Sequence, residues 1–217
     1  MSIIIIEYMM AIIYIVKPTD VTLERPMKVS REQAARNRER VLAAAAKLFR
    51  ERGFEGVGVA DVMRGAGLTH GGFYGQFASK EELAAEAYAR AIAETVARWD
   101  KLADRPGGKP LSALMQAYLS PRHRDDPGLG CLLSALGPEV ARQSPAIRRS
   151  VTEGFRTLID RLTGLIPGRS AAAKRKRALA VFSSLVGAMV LARAVDDPAL
   201  SEEILQAMSA SLAPAAS

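Results

Sequence analysis

The chain has 217 residues, 49% hydrophobic and 24% charged, long enough for one or two globular domains with a substantial core. Thirty Lys and Arg against 23 Asp and Glu give a net charge of +7, which favours a polyanionic partner. One cysteine and two histidines exclude an intrachain disulfide and a Cys/His zinc site. With no P-loop, GxSxG, dinucleotide fingerprint or HExxH, no catalytic residue, metal or cofactor is assigned.

Residues 1–26 begin with an apolar tract, Ile3-Ile4-Ile5-Ile6 and Ile12-Ile13-Tyr14-Ile15-Val16 around Met9-Met10. The tract is shorter than the roughly 20 residues that span a bilayer and lacks a basic start or small-residue cleavage site. It is therefore expected to be neither a transmembrane helix nor a signal peptide. The preferred reading takes Met27 as the natural start and residues 1–26 as a start-site artefact; a packed extension and a membrane-surface segment are the alternatives.

A helix is predicted over 31–52, with Val41, Leu42, Ala45, Leu48 and Phe49 at the helical period and Gly53 as its stop. A second, short helix over 59–66 is closed by Gly67, with Val59, Val62, Met63 and Ala66 facing inward. Leu68, Phe73 and Phe77 complete a small core around a very short helix that begins after Thr69. Ser79 with Glu82 forms a capping box for a long helix running through Trp99 towards Leu102. Helices of this order and length form a helix-turn-helix unit, whose second helix enters the major groove of DNA. The charge agrees: between residues 27 and 80 there are ten Lys and Arg against five acids.

Asp104-Arg105-Pro106-Gly107-Gly108-Lys109-Pro110 predicts a loop. Beyond it, helices are predicted at 111–120, 131–142, 145–166, 171–195 and 199–212, with a polar, turn-rich loop over 121–130. No strand-like alternation appears. The predicted fold is all-α: residues 27–83 form a three-helix helix-turn-helix domain, and residues 84–217 a helical domain.

Ala44-x-x-x-Leu48-Phe49-x-x-x-Gly53-Phe54, Val59-x-Asp61-Val62, Ala66-Gly67-Leu68-Thr69 and Gly71-x-Phe73-Tyr74-x-x-Phe77-x-Ser79-Lys80-Glu81-x-Leu83 resemble, in order and spacing, the DNA-binding domain of the tetracycline-repressor (TetR) family. The resemblance implies a dimeric transcriptional regulator, most simply a cytoplasmic repressor, that binds a double-stranded DNA operator and responds to a small molecule in its C-terminal domain. It also implies that Tyr74 and Lys80 touch the DNA backbone. Gln76 stands where the family often has His, and Gly58 where it often has Ser or Thr. Losing that hydroxyl removes one common phosphate contact, although Gly58 can still cap the second helix.

The residues themselves add detail. Thr69 stands at an N-cap, where capping is its expected role. His70 is the candidate for base contact. Gly71 and Gly72 disfavour a helix by about 1 kcal/mol each, which points to close backbone approach by another molecule. The apolar helix at 171–195 can bury one face in its own domain and another against a second copy, so dimerisation is expected through 171–212. Met115, Tyr118, Phe155, Phe182 and Met189 are candidates to line an effector cavity, with plain core as the alternative. Cys131, at a helix start with Arg122 and Arg124 near in sequence, is either a reactive thiol or a buried structural one; its Gly-Cys-Leu setting resembles a TetR subgroup that senses electrophiles or oxidants. A non-specific DNA-binding or membrane-surface helical protein would share the charge but show no sequence preference.

Overall fold

The structure, a computed structural model, describes residues 30–104 and 109–213. The tract at 1–26 and the centre of the loop at 104–110 lie outside the described residues. Those described contain nine α-helices, two 3₁₀ turns and no strand: the chain is all-α. Contacts divide it into residues 1–34 and 35–217. In the first unit Ser30 Oγ accepts the Gln33 amide at 3.1 Å, capping the start of α1 (Arg31–Arg52).

In the second unit, α1 buries Val41, Leu42, Ala45, Ala46 and Phe49, the stripe its periodicity predicts. It ends where Gly53 takes φ 76°, a left-handed conformation that a side chain would strain. α2 (Val59–Gly65) buries Val62 and Met63, and Gly67 at φ 66° turns the chain out of it. The next element is shorter than the sequence suggests: His70–Gly72 is a single 3₁₀ turn, since two of its three residues are glycines and neither favours α-helix. Phe73 and Phe77, stacked at 5.7 Å, are buried beneath it.

α3 (Lys80–Ala103) starts from Ser79, whose hydroxyl accepts the Glu82 amide at 3.1 Å. The Glu82 carboxylate reaches back one residue beyond the usual box, to the Ala78 amide at 2.6 Å. α3 runs unbroken across residues 83 and 84, so one helix is common to the predicted helix-turn-helix segment and the rest of the fold. α4 (Pro110–Tyr118), α5 (Pro121–Asp125), α6 (Leu132–Val140), α7 (Pro145–Leu165), α8 (Ala171–Ala194) and α9 (Pro198–Leu212) complete it.

The expected loop at 121–130 is mostly structured. Ser120 caps α5, accepting the His123 amide at 3.2 Å, and Asp126 caps a 3₁₀ turn, Pro127–Leu129, accepting the Leu129 amide at 3.2 Å. In both, a proline at the first position supplies a preset φ behind a capping side chain. The polar, proline-bearing composition that reads as loop is here a pair of capped turns.

α3 packs along α7, and α8 lies against α7 and α9. Phe182 of α8 meets Trp99, Tyr118 and Phe155 with ring centroids 5.9, 6.3 and 5.7 Å away. Among the described residues α8 is the one helix long and apolar enough to cross a membrane. Its Ala178, Val181, Phe182, Leu185, Ala188, Met189 and Ala192 face the core of this fold.

Candidate nucleic-acid interface and cavity

The turn at His70–Gly72 and the residues after it form an exposed strip carried on the buried Phe73–Phe77 pair. Thr69 does not cap it: the hydroxyl makes no capping hydrogen bond. The amides of Gly72 and Phe73 are taken instead by the carbonyls of Thr69 and His70, both at 3.1 Å, which leaves the Thr69 side chain on the surface. A Cβ added at Gly71 would enter open space, and one at Gly72 would meet only Met63 Cε at 3.6 Å. Neither glycine has positive φ. Nothing inside the protein therefore requires glycine at these positions; what the missing side chains provide is a bare backbone for an outside surface to approach.

Tyr74 is 71% exposed, its ring edge-on to His70 at 6.3 Å and to Phe73 at 5.1 Å. Gln76 folds back, its Nε2 donating to the Gly72 carbonyl at 3.1 Å. Lys80, at the start of α3, holds its Nζ 4.1 Å over the Phe54 ring, a cation–π contact that aims the stem without neutralising the charge. Gly58 is exposed at the start of α2 and donates its amide to Asp61 Oδ2 at 3.1 Å. Arg38 stands over the Phe77 ring at 4.6 Å and is paired with Glu86 through two bonds of 2.6 Å.

Two polar ties, neither legible in the sequence as a tie, join these first helices to the later ones. Arg50, near the end of α1, is buried, and its Nε donates to the Gly128 carbonyl at 2.8 Å, with Nη2 on the same oxygen. Burial holds this guanidinium below its usual pKa, and Glu94 at 3.9 Å opposes the shift. The Phe54 amide donates to Glu139 Oε1 at 2.5 Å. A signal for Arg50 does exist: it lies four residues after Ala46 and beside Phe49, on the apolar stripe of α1. A cation in that position needs a buried acceptor.

Next to Gly128 in sequence, Leu129, Gly130 and Cys131 border a cavity of about 650 Å³, lined also by Thr95, Trp99, Leu114, Tyr118 and His123 among others, within the size range of small-molecule sites. Of the six residues expected around an effector, Cys131 and Tyr118 border it. Met115, Phe182 and Met189 are buried core and Phe155 packs on Phe182; none of the four is on the cavity wall. Helical spacing places apolar residues inward without telling which inward face meets a void.

Cys131 is the N-cap of α6, 3% exposed, and its thiol caps nothing. Its amide donates to His123 Nε2 at 2.9 Å. That nitrogen must therefore be unprotonated, which puts the ring proton on Nδ1, 2.7 Å from the Tyr118 carbonyl it donates to. His123 is neutral and fully used; burial first, then Arg193 and Arg98, bring its pKa down to about 4 against the opposing Tyr118 carbonyl. Arg193 of α8 donates Nε to the Arg124 carbonyl at 3.0 Å, Nη1 to Ser134 Oγ at 3.2 Å and Nη2 to the His123 carbonyl. Ser134, which Arg193 engages, donates its hydroxyl to the Cys131 carbonyl at 3.0 Å. Arg124 is held by Asp125 at 2.7 Å and Ser201 at 3.1 Å. The Tyr118 hydroxyl is buried without a hydrogen-bond partner; burial, followed by Cys131, raises its pKa well above that of a free phenol.

Two α-helices followed by a short exposed turn over a buried aromatic pair have the arrangement of a helix-turn-helix unit. Residues 41–87 match the sequence model of bacterial regulatory proteins, tetR family, which covers the helix-turn-helix segment of the chain. Solved structures share its fold. Escherichia coli NemR in its reduced form is 24% identical, with 82% of this chain and 95% of that one aligned at a TM-score of 0.68. A TetR transcriptional regulator from Chloroflexus aurantiacus is 24% identical over 83% and 96%, at 0.67. A TetR-family regulator from Agrobacterium tumefaciens is 21% identical over 82% and 98%, also at 0.67. No curated protein matches the chain in sequence.

Proposed function

We propose that this protein is a cytoplasmic homodimeric repressor, that residues 27–83 read an operator, and that an effector in the cavity of the 84–217 domain releases it without any catalysis. One observation carries this reading. Leu129, Gly130 and Cys131 border the cavity, while the adjoining Gly128 carbonyl holds Arg50 of α1. A ligand that displaces this backbone displaces the anchor of the helix-turn-helix. In a dimer the two reading turns must lie roughly 34 Å apart to enter successive major grooves, so an effector that favours another separation weakens binding.

On the DNA side, Tyr74 and Lys80 engage phosphates, His70 faces base edges, Gln76 lies at the same surface in the place where the family often has His, and Gly58, Thr69, Gly71 and Gly72 let backbone approach the duplex. Dimerisation uses α8 and α9, where Leu179, Leu191 and Leu200 are large apolar side chains left exposed. Cys131 offers a covalent route to the same release. Its sulfur can form a bond to an electrophilic carbon with loss of the thiol proton, or be oxidised by peroxide to a sulfenic acid with water as the other product. Either adds bulk beside Tyr118 and the His123–Cys131 hydrogen bond.

The test is DNA-fragment selection with the purified full chain, followed by fluorescence anisotropy on the selected fragment. The reading expects one preferred, two-fold-related site bound by two chains and a salt-dependent affinity. Binding of all fragments alike would refute it and favour a non-specific DNA-binding protein.

A further inference from the structure

The cavity's lining is asymmetric in charge. Arg98, Lys101 and Arg122 border it against a single carboxylate, Asp126, which is already occupied as a cap by accepting the Leu129 amide. Lys101 and Arg122 have no ion-pair partner among the described residues. Arg98 is held in place: its Nη2 donates at 2.9 Å to Thr95 Oγ1, itself buried and donating to the Ala91 carbonyl at 3.0 Å. His123 adds no charge, being neutral near pH 7. The remainder of the wall is apolar, with Trp99, Leu102, Leu114 and Ala117. At its inner side the Tyr118 hydroxyl, on a residue only 5% exposed, has no acceptor. Its pKa is raised, so it is protonated and can donate to an incoming oxygen, with the side chains of Cys131 and Ser134 as its protein neighbours.

We infer that the cavity takes an organic carboxylate with an apolar, ring-sized body: the body against Trp99 and Leu114, the carboxylate among Arg98, Arg122 and the Tyr118 hydroxyl. The inference deepens the effector reading and rests on it. An organic cation would face three like charges. A neutral apolar molecule would satisfy the wall but leave the cations unpaired, gaining no charge-assisted hydrogen bond.

Trp99 is the only tryptophan in the chain and lines the cavity, so its emission reports occupancy without any knowledge of the operator. The full-length protein is titrated with 4-tert-butylbenzoate, 4-tert-butylbenzyl alcohol and 4-tert-butylbenzylammonium, by Trp99 fluorescence and by calorimetry. The expected order is carboxylate tighter than alcohol by about tenfold, with the ammonium weakest. Arg98→Gln combined with Arg122→Gln is expected to bring carboxylate affinity down to that of the alcohol. Equal binding of alcohol and carboxylate, preference for the ammonium, no binding of any of the three by either method, or a double variant that still prefers the carboxylate overturns the inference. Failure of the underlying reading looks different: the carboxylate binds with the expected selectivity but DNA affinity does not change. Conversely, thiol reagents that release DNA through Cys131 while no probe binds would leave the regulator reading standing without the carboxylate.

Discussion

Protonating His123 removes a hydrogen bond that the fold depends on, and the size of the effect can be worked from the geometry. Nε2 accepts the Cys131 amide and Nδ1 donates to the Tyr118 carbonyl, so a second ring proton would point a donor at a donor. In the unfolded chain the imidazole takes that proton near pH 6.5; in the fold it resists until about 4. Between those values the unfolded chain binds more protons, so stability is fully present above about pH 6.5 and falls as the pH drops towards 4. Integration over the window gives a loss of about 2 kcal/mol at pH 5 and about 3 kcal/mol at pH 4. The measurement is urea unfolding monitored by Trp99 emission at pH 7, 6 and 5, for wild type and for His123→Gln, which cannot titrate yet can present an oxygen to the Cys131 amide. The wild type is expected to lose about 2 kcal/mol more than the variant between pH 7 and 5. The only other histidine, His70, is exposed on the reading turn and is common to both proteins. Parallel losses in the two proteins would refute the assigned tautomer and the role of His123 as a neutral clamp.

The same contacts set further expectations. Lys80→Ala is expected to weaken binding to every DNA sequence alike and to flatten the log–log salt dependence by about one unit, measured by anisotropy between low and moderate salt; an unchanged slope removes Lys80 from the phosphate contacts. Tyr74→Phe, which deletes only an exposed hydroxyl, is expected to weaken operator binding about three- to tenfold and leave the thermal midpoint unchanged. Cys131→Ser is expected to keep operator affinity and to lose the DNA release that peroxide or quinone causes in the wild type, so equal release by the two proteins makes Cys131 structural only. Arg50→Met is expected to bind 4-tert-butylbenzoate as the wild type does but to release DNA less in response. Its unfolding free energy should change by about 1–3 kcal/mol.

Much of the reading end is visible in residue order because each device there is local. The inner stripe of α1, the glycine stops at Gly53 and Gly67 and the Ser79 cap all depend on spacing within one turn or one helix. The cavity is not visible in this way. Tyr118 and Cys131, which do border it, stand out by their chemistry, whereas Phe182 and Met189, which stand out by apolar spacing, go to the core. A void is the place where helices fail to interdigitate, and no single helix carries that information. His123 is silent in the sequence for a related reason: its partners are a backbone amide and a backbone carbonyl, which have no residue type to recognise. Thr69 shows the opposite error. Its side chain suits capping, but the turn behind it is too short to need a cap.

Arg50 is informative because it is an expensive choice of residue. A guanidinium taken out of water must be compensated, and here Nη1 is buried without a partner, Glu94 is 3.9 Å away and also held by Arg90 at 3.0 Å, and two of the donors share one carbonyl oxygen. An apolar side chain of similar length would fill the site with less desolvation. What an apolar residue would not do is fix a single carbonyl in place. Arg50 holds Gly128 O, and Glu51 crowds the same glycine so closely that an added Cβ would lie 2.5 Å from its carboxylate. The Glu139 carboxylate fixes the other end of the same stretch against the Phe54 amide. The segment from Gly128 to Glu139 is thus pinned at both ends to the end of α1 and the residues just past it, and Leu129, Gly130 and Cys131 at its start border the cavity. Directional hydrogen bonds fix the position of such a segment more sharply than apolar packing would. That is the property needed if a ligand or an adduct in the cavity is to change the state of the DNA-reading turn.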